Sequence, residues 1–264
     1  MAVLSRLSVR NFRNLSSVDV CLPAGVTLLS GRNGQGKSNV LEAICYLGLL
    51  RSFRTQGIVP LRQWESDFFS LKACFEDADP AFSFTLNVSQ GERRALAING
   101  TPLDRASDFI NQFVCVPLVP EDIALVKGGA AGRRRFLDIV LSQLEPSYLA
   151  ELQCYREAVR NRNALLRRRP VNHSVLRPFE DILVEHGASI EMERQRYVAA
   201  FNLRLGALSE ILLSGCRGSF AAHYIGGGGG PPGSERAQCE EQLRDALERH
   251  RQRDEREGHT SVGP

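Results

Sequence analysis

The stretch Gly31-Arg32-Asn33-Gly34-Gln35-Gly36-Lys37-Ser38 fits the phosphate-binding pattern G-x-x-x-x-G-K-[ST] at every fixed position. Val26, Thr27, Leu28 and Leu29 precede it as an apolar, partly β-branched run, which predicts a buried strand. Val40, Leu41, Ile44 and Leu47 follow at three- and four-residue steps, which predicts a helix buried on one face. The predicted order is strand, glycine-rich loop, helix. Glycines let a backbone bend around an anion and turn successive N–H groups inward. The new helix adds unpaired N–H groups and the positive end of its dipole. In this pattern Lys37 sets a cation against the β- and γ-phosphates and the Ser38 hydroxyl ligates Mg²⁺. The competing reading is a chance glycine-rich turn, and strand and helix both standing where the motif needs them weigh against it. The expected ligand is a nucleoside triphosphate.

A chain of 264 residues has room for one large domain or two modest ones. No apolar run approaches the ~18 residues of a membrane span. The N-terminus shows alternating polar residues in place of a secretory apolar core. A cytoplasmic protein without membrane contact is expected. The seven cysteines (21, 45, 74, 115, 154, 216 and 239) contain no C-x-x-C pair, which argues against a disulfide framework or a zinc site. Buried small hydrophobes in a reducing compartment are expected instead. The net charge of +3 is too small to announce nucleic acid. Its distribution is uneven, since residues 132–170 hold nine arginines against four acids.

In chain order, residues 4–10 alternate as a half-exposed strand does, and Val18 to Leu22 reads as a second strand before Pro23-Ala24-Gly25 turns the chain. Residues 68–98 switch to period two. Phe69, Leu71, Ala73 and Phe75 share one face, Phe82, Phe84, Leu86 and Val88 another, and Asn99-Gly100 is a strong turn signal. An antiparallel meander is expected there, with Phe113 to Val119 as a last strand. From residue 121 the pattern becomes helical. Helices are expected over 133–145, over Leu149 to Leu166, from Phe179 to Leu212, and from about Ser234 to Glu257. Gly215 and Gly218 should end the third, and Gly226 to Gly230 with Pro231, Pro232 and Gly233 should form a flexible loop. Among the histidines, His186 lies on an apolar stripe and is expected in the core.

Two blocks together resemble a known family. The first is Val9-Arg10-Asn11-Phe12-Arg13-Asn14-Leu15 with the phosphate loop and Asn39-Val40-Leu41-Glu42-Ala43-Ile44. The second is Pro120-Glu121-Asp122, Lys127-Gly128 and Arg133-Arg134-Arg135-Phe136-Leu137-Asp138. Arg51-Ser52-Phe53-Arg54 and the Tyr155 to Leu166 helix fit as well. These resemble the RecF family of bacterial recombination mediators, in the SMC-like branch of ABC-type ATPases. The loop alone marks only a P-loop protein; the combination is specific.

The resemblance implies an α/β fold: a P-loop ABC/SMC-like ATPase head with a mixed sheet, an antiparallel meander and an inserted helical subdomain. It divides the chain into an ATP-binding lobe (1–120), a helical subdomain (121–257) and the start of a return to the ATPase core (258–264). It implies an ATP-dependent homodimer that clamps duplex DNA near gaps or junctions and works with other recombination mediator proteins in replication and repair. It places Arg13 and Asn14 near the nucleotide and Glu121 where such heads carry a glutamine. In the family, further segments with the signature motif and Walker B carboxylates follow the stretch that here reads Thr260-Ser261-Val262-Gly263-Pro264. The expectation is therefore an incomplete head that binds ATP with Mg²⁺ but hydrolyses it poorly, with no catalytic residue assigned and apolar strand edges left uncovered. Leu212-Leu213-Ser214-Gly215-Cys216 reads as a helix stop and not as a substitute signature.

Arg51, Arg54, Arg133, Arg134 and Arg135 are candidate DNA-phosphate contacts, as are the arginines of 156–169. A solvated or ion-paired helix face is the alternative, with Asp138 and Glu157 as available partners. A small-molecule kinase would share the loop but needs a lid and substrate-binding acids. A GTPase would need an Asn-Lys-x-Asp motif, which the sequence lacks.

Overall fold

The computed structural model describes residues 2–212, 220–229 and 235–264. The expected helix stop at Gly215 and Gly218, Cys216, and the Pro231 to Gly233 stretch lie outside the described residues. The chain separates into two compact units, 1–132 and 133–264.

The first unit is built on one six-stranded sheet of order β2-β1-β3-β4-β5-β6. Its strands are β1 (Val3–Phe12), β2 (Leu15–Cys21), β3 (Phe69–Glu76), β4 (Phe84–Gln90), β5 (Arg94–Ile98) and β6 (Thr101–Leu103). Every pairing is antiparallel. Period-two alternation puts Leu7, Val9, Leu71, Ala73, Phe75, Leu86 and Val88 on the buried side. Asn99 and Gly100 both take positive φ (50° and 80°), the geometry a two-residue hairpin turn requires. Helix α1 (Lys37–Leu49) covers that side. Tyr46 meets Phe69 edge-on at 5.4 Å between ring centroids, and Phe69 meets Phe12 at 5.2 Å. This packing fixes α1 against the sheet, and so fixes the loop that feeds it. Short helices α2 (Ala106–Ile110) and α3 (Ala124–Lys127) complete the unit.

The α/β class holds, while three expected details do not. Val26 to Leu29 forms no ladder, and Val26 and Leu28 are 98% and 86% exposed. Phe113 to Val119 also runs extended without a ladder: Cys115 points inward, and Val114, Val116 and Leu118 point out. The sheet is consequently antiparallel throughout and not mixed. An apolar run states that a segment wants burial; a ladder also needs a neighbouring strand, and none of the described residues supplies one.

The second unit holds α5 (Pro146–Leu166), α6 (His173–Leu212), α7 (Arg236–Glu257) and most of α4 (Ala130–Leu144). Ala158, Leu183, Val184, Ala188, Cys239, Leu243 and Leu247 form one apolar cluster, and Leu141, Tyr148, Leu152 and Ile190 form another. The helical period of α6 continues to its end, but burial does not: Leu203, Leu208 and Ile211 are exposed. His186 is not a core residue either. It is half-buried, with Nδ1 2.6 Å from the Glu151 carboxylate. The glycine run begins anchored, because Gly227 N–H donates to buried Glu191.

Candidate functional site

The loop residues Gly31 to Gln35 are exposed, and Gly36 is buried beneath them. Gly31, Gly34 and Gly36 adopt φ of 143°, 81° and 97°, a region that favours glycine. Gly36 is doubly constrained: a Cβ there would lie 2.6 Å from Leu15 Cδ2 and 2.9 Å from Asn14 Oδ1. At Gly31 and Gly34 an added Cβ would meet nothing within 4 Å, so the loop stands open on that side. Helix α1 starts at Lys37 with no side-chain cap and no acid in its first turn. Its N-terminal N–H groups and dipole therefore face no competing carboxylate. The Lys37 ammonium folds back, donating to the carbonyls of Gly31 and Arg32 at 2.7 Å each. Ser38, the next residue of α1, is exposed.

The β1–β2 hairpin braces this loop. Asn14 Nδ2 donates to the Gly34 carbonyl at 2.7 Å, and Asn39 Nδ2 donates to Asn14 Oδ1 at 2.7 Å. Arg54 Nη1 then donates to Asn39 Oδ1 at 2.8 Å, and it also lies 3.5 Å from Glu42. Arg13, at a φ of 56°, turns the other way. Its guanidinium is bidentate to Glu42 (3.0 and 2.6 Å) and donates to the Pro60 carbonyl and Thr55 hydroxyl. Glu42 is wholly buried and also accepts from the Ser52 hydroxyl. Thus Asn14 touches the phosphate loop directly, whereas Arg13 spends its donors on a buried carboxylate.

Sequence reasoning missed Glu42 as the centre of this corner. The only available signal was an acid between Leu41 and Ala43 on a helix that buries most of its second half; a buried acid requires cations. Replacing Glu42 by Gln leaves Arg13 and Arg54 facing a neutral amide. We expect that substitution to cost about 2–3 kcal/mol, seen as a lower urea midpoint with an unchanged m-value. An unchanged midpoint would show that the carboxylate charge is unnecessary.

Among the expected DNA contacts, Arg134 and Arg135 are exposed beside Arg133 near the start of α4, Arg54 keeps 48% of its side chain exposed, and Arg51 is half-buried. The basic excess of 132–170 is not all available, however. Arg156 pairs with Asp138 at 2.8 Å, and Arg162 is buried. Glu121 is exposed on the 3₁₀ turn Pro120–Ile123, where the Asp122 carboxylate accepts from the Val119 N–H. Among the described residues no cluster of three or more His, Cys, Asp or Glu is placed to hold a metal, and no helix is long and apolar enough to cross a membrane.

A protein-family model described as an AAA domain matches residues 6–80. The DNA replication and repair protein RecF of Thermoanaerobacter sp. (strain X514) is 32% identical over 265 residues, covering 99% of this chain and 72% of that protein. The chain belongs to the RecF family. RecF of Bacillus cereus (strain B4264) is 34% identical over 199 residues, which are 74% of this chain and 53% of that protein. A solved structure of the recombination mediator protein RecF-ATPrS in the RecFOR pathway superposes with a TM-score of 0.92 at 28% identity. It covers all of this chain and 71% of that one. The corresponding RecF-ATP structure gives 0.90, over 72% of its chain. The sheet, the braced loop and the helical unit are therefore a RecF ATPase-head architecture, and the chain spans part of the length of each of these RecF relatives.

Proposed function

We propose that this chain binds ATP at the Gly31–Ser38 loop and acts on DNA in replication and recombinational repair. The observation that carries the reading is the glycine-built, carboxylate-free N-terminus of α1, in a fold that matches RecF solved with ATP. Gly31, Arg32, Asn33, Gly34, Gln35 and Gly36 supply main-chain donors, and Asn14 holds the loop's shape through the Gly34 carbonyl. Lys37 exchanges two neutral carbonyl acceptors for phosphate oxygens, a change toward charge-assisted bonds. The Ser38 hydroxyl is the group here that would hold Mg²⁺, which neutralises phosphate charge when bound.

The finer reading is an ATP-dependent homodimer on duplex DNA at gaps or junctions, which assists other recombination mediators in loading the strand-exchange protein. Its support is family membership together with charge. Three arginines follow one another near the start of α4, with no acid in that helix's first turn. Arg134 and Arg135 are exposed, and exposed arginines are common contacts to DNA phosphates.

Nucleotide competition tests the first half: ATP, and not GTP, should displace a fluorescent ATP analogue. Charge reversal tests the second. Arg133→Glu with Arg135→Glu should weaken duplex-DNA binding at least about 10-fold and flatten its logarithmic salt slope by one to two units. An unaltered slope would assign these arginines to the protein's own surface.

A further inference from the structure

Cys45 on α1 and Cys115 on the extended 113–119 segment lie 70 residues apart in sequence, yet their sulfurs are 3.5 Å apart. Both are buried. The approach is enabled by Gly48, one turn after Cys45, because a Cβ there would stand 2.8 Å from Cys115 Cβ. A disulfide needs about 2.05 Å, so closure requires a movement of about 1.5 Å. The two sides differ in their freedom to supply it. Cys45 is fixed by its helix, whereas the Cys115 segment has no ladder bonds and its alternate residues Val114 and Val116 are exposed.

We propose that Cys45 and Cys115 form a reversible oxidation site, closed to a disulfide by hydrogen peroxide. The sulfur of Cys115 attacks one peroxide oxygen, the O–O bond breaks, and water leaves once the departing oxygen takes a proton. Cys45 then attacks the sulfenic sulfur of Cys115, expelling a second water. Two thiols lose two electrons and two protons in all, and one peroxide becomes two waters. The hydrogen bond with Cys45 holds the Cys115 thiol below its usual range despite burial, while the same bond followed by burial pushes Cys45 up. Cys115 also lies on the extended segment that has no ladder bonds, so it is taken as the attacking partner and helix-held Cys45 as the resolving one. The bond would tie the helix that begins with Lys37 and Ser38 to the extended segment, and reducing agents would release it. Reversible disulfides of this kind are the usual sort in a reducing compartment.

The test is graded peroxide on the intact chain, followed by non-reducing peptide mass mapping. Exposed Cys21 and Cys154 serve as internal references. A linked peptide joining Cys45 to Cys115, lighter by two hydrogens and reopened by dithiothreitol, is expected at or below the dose that oxidises the references. Oxidation should also raise the unfolding midpoint by about 5 °C or more, because the bond closes a long loop. Cys115→Ala should lose both effects. Complete oxidation of Cys21 and Cys154 with Cys45 and Cys115 still thiols, or their conversion to sulfinic acids without linkage, would overturn the proposal on the unsubstituted chain.

Discussion

Lys37→Ala is expected to lower ATP affinity by at least about 100-fold. The ammonium makes two internal bonds in the free state, to the carbonyls of Gly31 and Arg32. Nucleotide binding therefore does not create these interactions from nothing; it trades neutral acceptors for phosphate oxygens. Bonds to charged acceptors contribute about 1.5–3 kcal/mol each, and neutral ones about 1. Two such exchanges, plus the loss of a unit charge beside a triphosphate, put the net loss near 3 kcal/mol. Calorimetric titration with Mg-ATP reads this directly. The fold should be intact, since Lys37 lies at an exposed loop–helix junction and not in the core of α1. Equal affinity in the variant would remove the phosphate loop as the nucleotide site. Asn14→Ala should give a smaller loss, about 10-fold, because Asn14 holds the loop through the Gly34 carbonyl and Asn39.

The largest stability effect is expected in the second unit, at Arg162. Its guanidinium and the Asp254 carboxylate are both 0% exposed and joined at 2.7 Å. The same guanidinium donates to the Glu180 carboxylate and to the Thr260 hydroxyl. Asp254 accepts in addition from the Ser261 N–H and hydroxyl, and Asn163 accepts from Thr260. One buried cation thereby joins α5 to α6, to α7 and to the segment after it. Arg162→Ala leaves Asp254 charged, buried and without its cation. Truncating one partner of a buried pair costs about 3–5 kcal/mol. The unfolding midpoint of the helical unit should fall by roughly 10 °C or more, followed by far-ultraviolet circular dichroism. Combining Arg162→Met with Asp254→Leu should cost less than the two single changes together, since the pair's desolvation penalty disappears with it. A loss below about 1 kcal/mol in Arg162→Ala would mean that water reaches the pair.

The arginine-rich stretch shows why composition alone misleads. Arg134, Arg156 and Arg162 contribute equally to the basic excess read from the sequence. In the folded chain they are an exposed cation, an ion-pair partner of Asp138 and a buried hub. Arg134 and Arg156 both remain at the surface, Arg156 with its guanidinium committed to Asp138, and of the three only Arg162 is withdrawn from solvent. The cysteines divide in the same way: Cys45, Cys115 and Cys239 are buried, Cys21 and Cys154 are exposed, and Cys74 is intermediate. Residue type sets what a side chain can do, and its neighbours decide whether it does so.

Read alone, the sequence determined whatever depends on residues close together along the chain. The phosphate loop, the Asn99-Gly100 hairpin, the period-two strands of the meander and the helical steps of α5 to α7 are all local patterns, because backbone sterics and side-chain periodicity act over a few residues. It also carried enough fixed positions to place the chain in its family. Tertiary structure alone decided which charges are buried and which apolar runs find a partner. Glu42 meets Arg13, Arg162 meets Asp254 across 92 positions, and Cys45 meets Cys115 across 70. Val26 to Leu29, by contrast, is apolar yet lies outside any ladder. Desolvation and strand pairing are properties of the space around a residue, and that space is made by segments the local sequence does not contain.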